Sequence, residues 1–378
     1  MADLIMLDDF LEPVNIYAIS EDEGYREGQF GQVIRINEGE MPDLDGVDLV
    51  LIGCGEQRGT GKPVNNNSAP DAIRKQLYNL YFWHKDMVIA DLGNVKTGAT
   101  LADTYAALAA VLNELTAAGK TVVILGGSHD LTLAQYKSYA KRERVMEAVC
   151  VDARIDLDID SVHRNDNFLM EMLTGEPNFV KHYSHVGFQS YLVHPRMLET
   201  LDKLRFDCFR VGHVKERPEE MEPVIRHASL FSFDISALAY AYAPVNRYTP
   251  NGFTGEEACV LMRQAGMSPF INTIGIYGYD PTLDQFEMTA RQIAHMLWYL
   301  IDGRFKGKHE APLEDVNAFN SFHIAFAEVD ATFIQSKRTG RWWMQLPDQR
   351  YIACSYNDYL VACNNDIPER WLRAMERG

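Results

Sequence analysis

Long apolar runs are missing from this chain. No stretch approaches the roughly 18 residues that would span a bilayer. The start, Met1-Ala2-Asp3-Leu4, has neither the basic segment nor the small-residue cleavage site of a secretory signal. A soluble cytoplasmic protein without membrane partners is therefore expected. Basic charge is also scarce: 36 Lys and Arg stand against 53 Asp and Glu, for a formal net charge of -17. Nucleic acids and anionic lipid want a basic surface, so both are disfavoured as partners. Cysteine is sparse and unpatterned. Cys54, Cys150, Cys208, Cys259, Cys354 and Cys363 are scattered and none forms Cys-x-x-Cys, which argues for reduced thiols against a disulfide frame or a zinc knuckle. Internal repeats and low-complexity tracts are absent too.

Two nucleotide-binding patterns come close and fail. The Gly/Asn-rich stretch 55–68 contains Gly61-Lys62, but Glu56 holds the first glycine position of a phosphate loop and Pro63 its Ser/Thr position. Arg58 stands where the third glycine of a dinucleotide loop belongs. Kinase and dehydrogenase readings lose their main support.

What is present is alternation. A composition of 47% hydrophobic and 24% charged residues suits a soluble globular protein with a large core. Short apolar runs at Val47–Gly53, Met87–Ala90, Thr121–Leu125, Ala148–Val151, Leu230–Ile235 and Ile271–Tyr277 read as buried strands, with weaker ones at 185–188 and 208–212. Between them lie helical patterns: one opened by Ala69-Pro70-Asp71 with Ser68 as a candidate N-cap, one from Leu101 to Ala118 stopped at Gly119, and others after Leu131, around 197–205 and 217–226, after Thr254 and over 284–302. Strand–helix alternation predicts a three-layer αβα fold with a mostly parallel sheet. The simplest division is an N-terminal extension (1–46), an α/β domain (47–303) and a β-containing C-terminal extension (304–378). In the last, Phe322–Phe333 and Arg341–Leu346 read as strands joined by a hairpin turn at Lys337–Gly340. That basic turn, followed by Trp342-Trp343, either binds something anionic or packs its tryptophans on the body.

Carboxylates gather where three of these strands end. Val151 runs into Asp152, Arg154 and Asp156, with Asp158 and Asp160 behind; Leu125 runs through two glycines into His129; Phe233 runs into Asp234. Ligands of open α/β sheets bind at the carboxyl ends of the strands. One histidine and three carboxylates are hard donors suited to manganese or a similar divalent ion. Clustered acids need a cation, and a metal, Arg154 or both would serve.

The order Gly-Gly-x-His (126–129), Asp-Ala-x-x-Asp (152–156) and Ser-Phe-Asp (232–234) resembles the ureohydrolase superfamily of arginase, agmatinase and formimidoylglutamase, nearest the formimidoylglutamase-like branch. Ser68–Arg74 is similar to its GPDAIR helix start. Ala243-Pro244, Thr249-Pro250 and Asn251-Gly252-Phe253-Thr254 are similar to its long loop. The likeness spans about 47–303. It implies an arginase-like fold, a homo-oligomer, a small amidine or guanidine substrate, and two manganese ions bridged by a hydroxide that attacks the substrate carbon. His129, Asp152, Asp156 and Asp234 match the ligands of the first ion, with Asp152 and Asp234 bridging.

The departures fall on the second ion. Arg154 replaces a histidine ligand and Ser236 an aspartate. Gly278 stands where the family has a substrate-gripping glutamate, and Ser128 where it has an aspartate beside the ligand histidine. A guanidinium is always charged and pairs with carboxylates, so Arg154 is expected to take the second ion's place. Three carboxylates less one guanidinium leave two negative charges, which one divalent ion neutralises. The resemblance further points to His163 as a proton shuttle and to Arg247 as a contact for a substrate carboxylate. Two function classes follow: a single-metal hydrolase of linear amidines, formimidoylglutamate first among them, or a silent member kept for binding or assembly.

Overall fold

The computed structural model describes residues 7–20, 24–63, 69–327 and 329–377. The Ser68 cap lies outside them. Ten strands form the main sheet: β1 (Leu11–Glu12), β2 (Arg35–Ile36), β3 (Leu49–Gly53), β4 (Ile89–Val95), β5 (Thr121–Leu125), β6 (Met146–Val151), β7 (Val180–Phe188), β8 (Asp207–Arg210), β9 (Leu230–Asp234) and β10 (Thr273–Tyr277). Their order is β1-β4-β3-β5-β10-β9-β6-β7-β8, with β2 also on β4. Every pairing is parallel except β1 with β4.

The strands are apolar on both faces because helices cover both. Successive side chains of a strand point to opposite sides. Val123 and Leu125 of β5, Val149 and Val151 of β6, and Phe231 and Phe233 of β9 enter one core, shared with the helices Ala69–Tyr78, Gly255–Met267 and Met288–Lys308. Their neighbours Val122, Ile124, Ala148, Cys150 and Leu230 enter the other, under Leu101–Ala117, Thr132–Ala140 and Phe168–Thr174. Both long helices that open at threonine carry a full capping box, Thr100 with Asp103 and Thr254 with Glu257. Gly119 ends the first at φ +73°, the left-handed conformation that glycine adopts without a Cβ penalty.

The N-terminal residues do more than lie over the domain. β1 and β2 take turns along the outer side of β4, pairing Leu11 with Val95 and Arg35 with Ala90. No single-strand pattern marks segments this short. The C-terminal part also differs in detail. Residues 322–333 are two strands, because the chain reverses after Phe326, with Ala327 at φ +47°. A second, antiparallel sheet results: β11 (Phe319–Phe326), β12 (Val329–Ser336), β13 (Trp342–Gln345) and β14 (Tyr351–Cys354). Its tryptophans are buried. Arg226 lies 4.4 Å over the Trp343 ring and donates to the Trp342 carbonyl at 3.0 Å, while Arg341 bonds Glu310 at 3.0 Å and the Met267 carbonyl at 3.0 Å. These contacts fix the small sheet to the body. No helix among the described residues is long and apolar enough to cross a membrane.

One buried ion pair ties the helix Ala69–Tyr78 to β4. Arg74 is 0% exposed and grips Asp91 with Nε at 2.7 Å and Nη2 at 2.8 Å, while Tyr78 donates to the same carboxylate at 2.9 Å. Removing one partner strands a buried charge. Arg74→Met is expected to lower the unfolding free energy by about 3–5 kcal/mol in urea melts; a loss below about 1 kcal/mol would show that the pair is structurally idle.

Candidate metal centre

Tight backbone turns bring the strand-end residues together. Beyond β5, Gly126 and Gly127 both adopt positive φ (+83° and +81°). A Cβ on Gly127 would sit 2.6 Å from the Cys54 carbonyl, so only glycine makes this turn. The turn carries His129 over the sheet edge, where Asp152 follows β6 and Asp234 closes β9. Gly278, just past β10, lies between them and donates its N–H to the Gly127 carbonyl at 2.8 Å.

All four expected donors converge. His129 Nδ1 lies 2.9 Å from Asp156 Oδ2, 3.1 Å from Asp152 Oδ2 and 3.9 Å from Asp234 Oδ2. Its other nitrogen, Nε2, is 2.8 Å from Ser232 Oγ, and its backbone N–H donates to Asn165 Oδ1 at 2.9 Å. A ligating histidine is usually held this way, one nitrogen tied behind it and the other turned to the ion. Atoms of His129, Asp152 and Asp156 all lie within 4.8 Å of one another. The set fits a divalent cation.

The replacements sit around these donors. Ser236 donates its hydroxyl to Asp152 Oδ1 at 2.6 Å and its N–H to Asp234 Oδ1 at 2.7 Å. Arg154 turns inward: Nη2 is 3.5 Å from Asp156 Oδ1, Nη1 is 3.2 Å from Asp166 Oδ1, and the guanidinium lies 4.1 Å from the Tyr248 ring centre. Tyr248 holds it flat against the acids by cation–π attraction. At Gly278 φ is +81°, and a Cβ there would meet Asp234 Oδ2 at 2.7 Å, so a side chain would be strained and would push that carboxylate aside. Ser128 turns its hydroxyl to the Glu56 carbonyl. A cleft of about 320 Å³ opens above the acids, lined among others by Gln57, Arg154, Asp234, Ser236, Arg247 and Tyr248. Arg247 is exposed at its wall. His163 is not brought in: it is exposed and packs over Gly61 at the margin. Asp158 and Asp160 are exposed as well.

Burial and mutual repulsion set the charges. Burial raises the pKa of Asp156, the nearby Asp152 charge adds to it, and the value reaches about 7. Burial and Asp152 raise Asp234 in the same direction. Burial also opposes a charged His129, but hydrogen bonds to Asp152 and Asp156 outweigh it, so the imidazole holds its proton well above the usual range. Asp152 goes the other way: burial would raise it, and the His129 bond and charge pull it well below a normal carboxylate. Without a metal, a proton on His129 occupies the centre of the cluster.

Sequence reading quoted Ser232 only as part of the Ser-Phe-Asp motif, without its contact to His129, and missed Asn165 and Tyr248. Ser232 was legible in principle, because it lies two residues before Asp234 on β9 and shares its face. Asn165 and Tyr248 arrive from separate loops, and no local pattern marks them.

A mostly parallel sheet covered by helices, with a buried His129–Asp152–Asp156 group at its carboxyl edge that could hold a metal ion, defines an α/β class of protein with a candidate metal centre. Comparison narrows it. The arginase family model matches residues 47–302, and the chain belongs to that family. The formimidoylglutamase of Hahella chejuensis is 26% identical over 304 residues, spanning 74% of this chain and 91% of the relative. The agmatinase of Klebsiella pneumoniae (strain 342) is 25% identical over 285 residues, spanning 68% and 87%. Two solved structures share the fold. Formimidoylglutamase of Bacillus subtilis superposes at TM-score 0.61 with 19% identity, over 70% of this chain and 90% of its own. Trypanosoma cruzi formiminoglutamase, solved with Mn2+, superposes at 0.63 with 18% identity, over 70% and 96%.

The protonation pattern has a measurable sign. Asp156 has a folded pKa near 7 against an ordinary 3.8, so its contribution to stability is most favourable below about 4 and declines as pH rises to 7. His129 is raised above 6.5, so its stabilisation is complete below that value and is lost as pH climbs through its folded pKa. Both act in one direction. With a chelator present, the melting temperature is expected to fall between pH 6 and 8 by scanning fluorimetry; a rise over that interval would contradict the assignment.

Proposed function

We propose that this chain hydrolyses a C–N bond of a linear amidine, with N-formimidoyl-L-glutamate the first candidate. In this reading it works with one divalent ion, manganese by preference, held by His129, Asp152, Asp156 and Asp234. Arg154 supplies the positive charge that a second ion brings in two-metal relatives. The observation that supports this reading is the buried His129–Asp152–Asp156 group, with Asp234 beside His129 and lining the cleft. The similarity to a named formimidoylglutamase supports the substrate class.

A divalent ion held by His129, Asp152, Asp156 and Asp234 would supply a water of lowered pKa and polarise the amidine carbon. The chain's own groups do the rest. Asp152 and Asp234 are the carboxylates placed to take a proton from the attacking water, with Ser236 orienting both. Arg154, pinned by Tyr248 and Asp166, steadies negative charge beside Asp156. Arg247 on the cleft wall meets a substrate carboxylate. His163 is the candidate carrier of the proton that leaves with the amine, and its place over Gly61 calls for a water between them. We further propose a cytoplasmic homo-oligomer; all six cysteines are free thiols.

One observation favours a second reading, a silent arginase-fold protein with a binding role. The position that would grip an amidine is Gly278, where a side chain would be strained. Turnover separates the two. With manganese added, formamide release from N-formimidoyl-L-glutamate is expected, with loss of about a hundredfold or more in Asp234→Asn. Urea release from arginine and agmatine serves as the comparison. No release from any of the three, together with new activity in Arg154→His/Ser236→Asp, would establish the silent reading.

A further inference from the structure

The cleft contains one acceptor that its own neighbours leave unused. Gln57 is 6% exposed and lines the cleft with Ser128, Asp234 and Ser236. Its Nε2 donates to the Tyr279 carbonyl at 3.3 Å, which fixes which way the amide points. Turning it over would set oxygen against oxygen. Its Oε1 is therefore committed to the other side, where it is buried and has no hydrogen-bond partner among the described residues.

The other buried neutral polar side chains of the cleft are engaged. Ser128 donates to the Glu56 carbonyl, Asn165 accepts from the His129 N–H, Ser236 donates to Asp152, and Asn246 donates to the Ser236 and Leu238 carbonyls while accepting from the Tyr248 backbone N–H. Asp280 at the rim is neutralised by Lys62 at 2.5 Å. Among the described residues, one other buried side-chain atom of the cleft lacks a partner, Arg154 Nε, and it is a donor on a group already held by two carboxylates. An unsatisfied buried acceptor costs stability and is uncommon in native proteins, and this one belongs to a residue that lines the same cleft as Asp234 and Ser236.

We propose that Gln57 is a specificity-determining residue whose Oε1 accepts a hydrogen bond from the terminal nitrogen of the substrate amidine. This rests on the amidine reading above and adds to it the group that recognises the nitrogen. The backbone makes the role necessary. Gly278 carries no acid there, and a side chain would be strained, and Tyr279, one residue on, spends its carbonyl on orienting Gln57. Recognition by a neutral amide follows hydrogen-bond direction instead of charge. It rejects a carbonyl oxygen in the same place, which would face Oε1 lone pair to lone pair.

The test compares N-formimidoyl-L-glutamate with N-formyl-L-glutamate, which carries oxygen in place of the terminal nitrogen. Both are titrated calorimetrically into manganese-supplemented wild-type protein and into Gln57→Met and Gln57→Leu. Where turnover occurs, KM and kcat are read as well. Wild type is expected to prefer the formimidoyl ligand by about tenfold or more. Both variants are expected to lose most of that preference, with KM raised more than kcat is lowered. If wild type binds the formimidoyl ligand and the variants keep its preference, or if wild type shows no preference, the role of Gln57 is overturned and the amidine reading stands. If wild type binds neither ligand, the amidine reading falls and this role falls with it.

Discussion

Three carboxylates buried against one another repel, and the site is built around relieving that repulsion. At an effective dielectric near 20, two like charges about 4 Å apart cost roughly 4 kcal/mol. Asp152, Asp156 and Asp234 are all buried, and each faces His129 Nδ1. Two cations of the chain itself answer them: the His129 imidazolium in the middle and Arg154 on the flank. Neither removes the full charge, and burial, with the Asp152 charge beside it, leaves the pKa of Asp156 high. An arriving divalent ion would displace the His129 proton and settle the account.

The scaffold holds these groups with little freedom. Helices on both faces make most strand positions apolar, so the few polar groups inside strands, such as Asp91 and Ser232, are paired, and the acid cluster forms where strands stop. The glycine turn after β5 and the edge of Phe168, 4.9 Å from the His129 ring, set the imidazole plane. Ser232 then holds its far nitrogen. Ser236 bridges Asp152 and Asp234 by two hydrogen bonds. Arg154 fills the space beside this cluster, against Asp156 and Tyr248.

Much of this was legible from sequence, for identifiable reasons. β5 was readable residue for residue, because Thr121–Leu125 is a pure apolar run closed by two glycines. The three residues of the metal-capable group, His129, Asp152 and Asp156, were readable because they lie just beyond such runs. What escaped were features made by distance in sequence. β1 and β2 are two residues long and exist only through β4. The reversal after Phe326 is hidden inside an apolar stretch that reads equally well as one strand. Tyr248 meets Arg154, and Gln57 meets Tyr279, across loops whose lengths carry no periodic signal.

The central claim is that the chain's own guanidinium stands where family members place an ion, leaving one cation site. Anomalous diffraction from crystals soaked in manganese tests it most directly. The account calls for one peak per chain, within ligand distance of His129 Nδ1, Asp152, Asp156 and Asp234, with Arg154 still against Tyr248. A second peak beside Ser236, with Arg154 displaced, would contradict it, and so would no peak at His129.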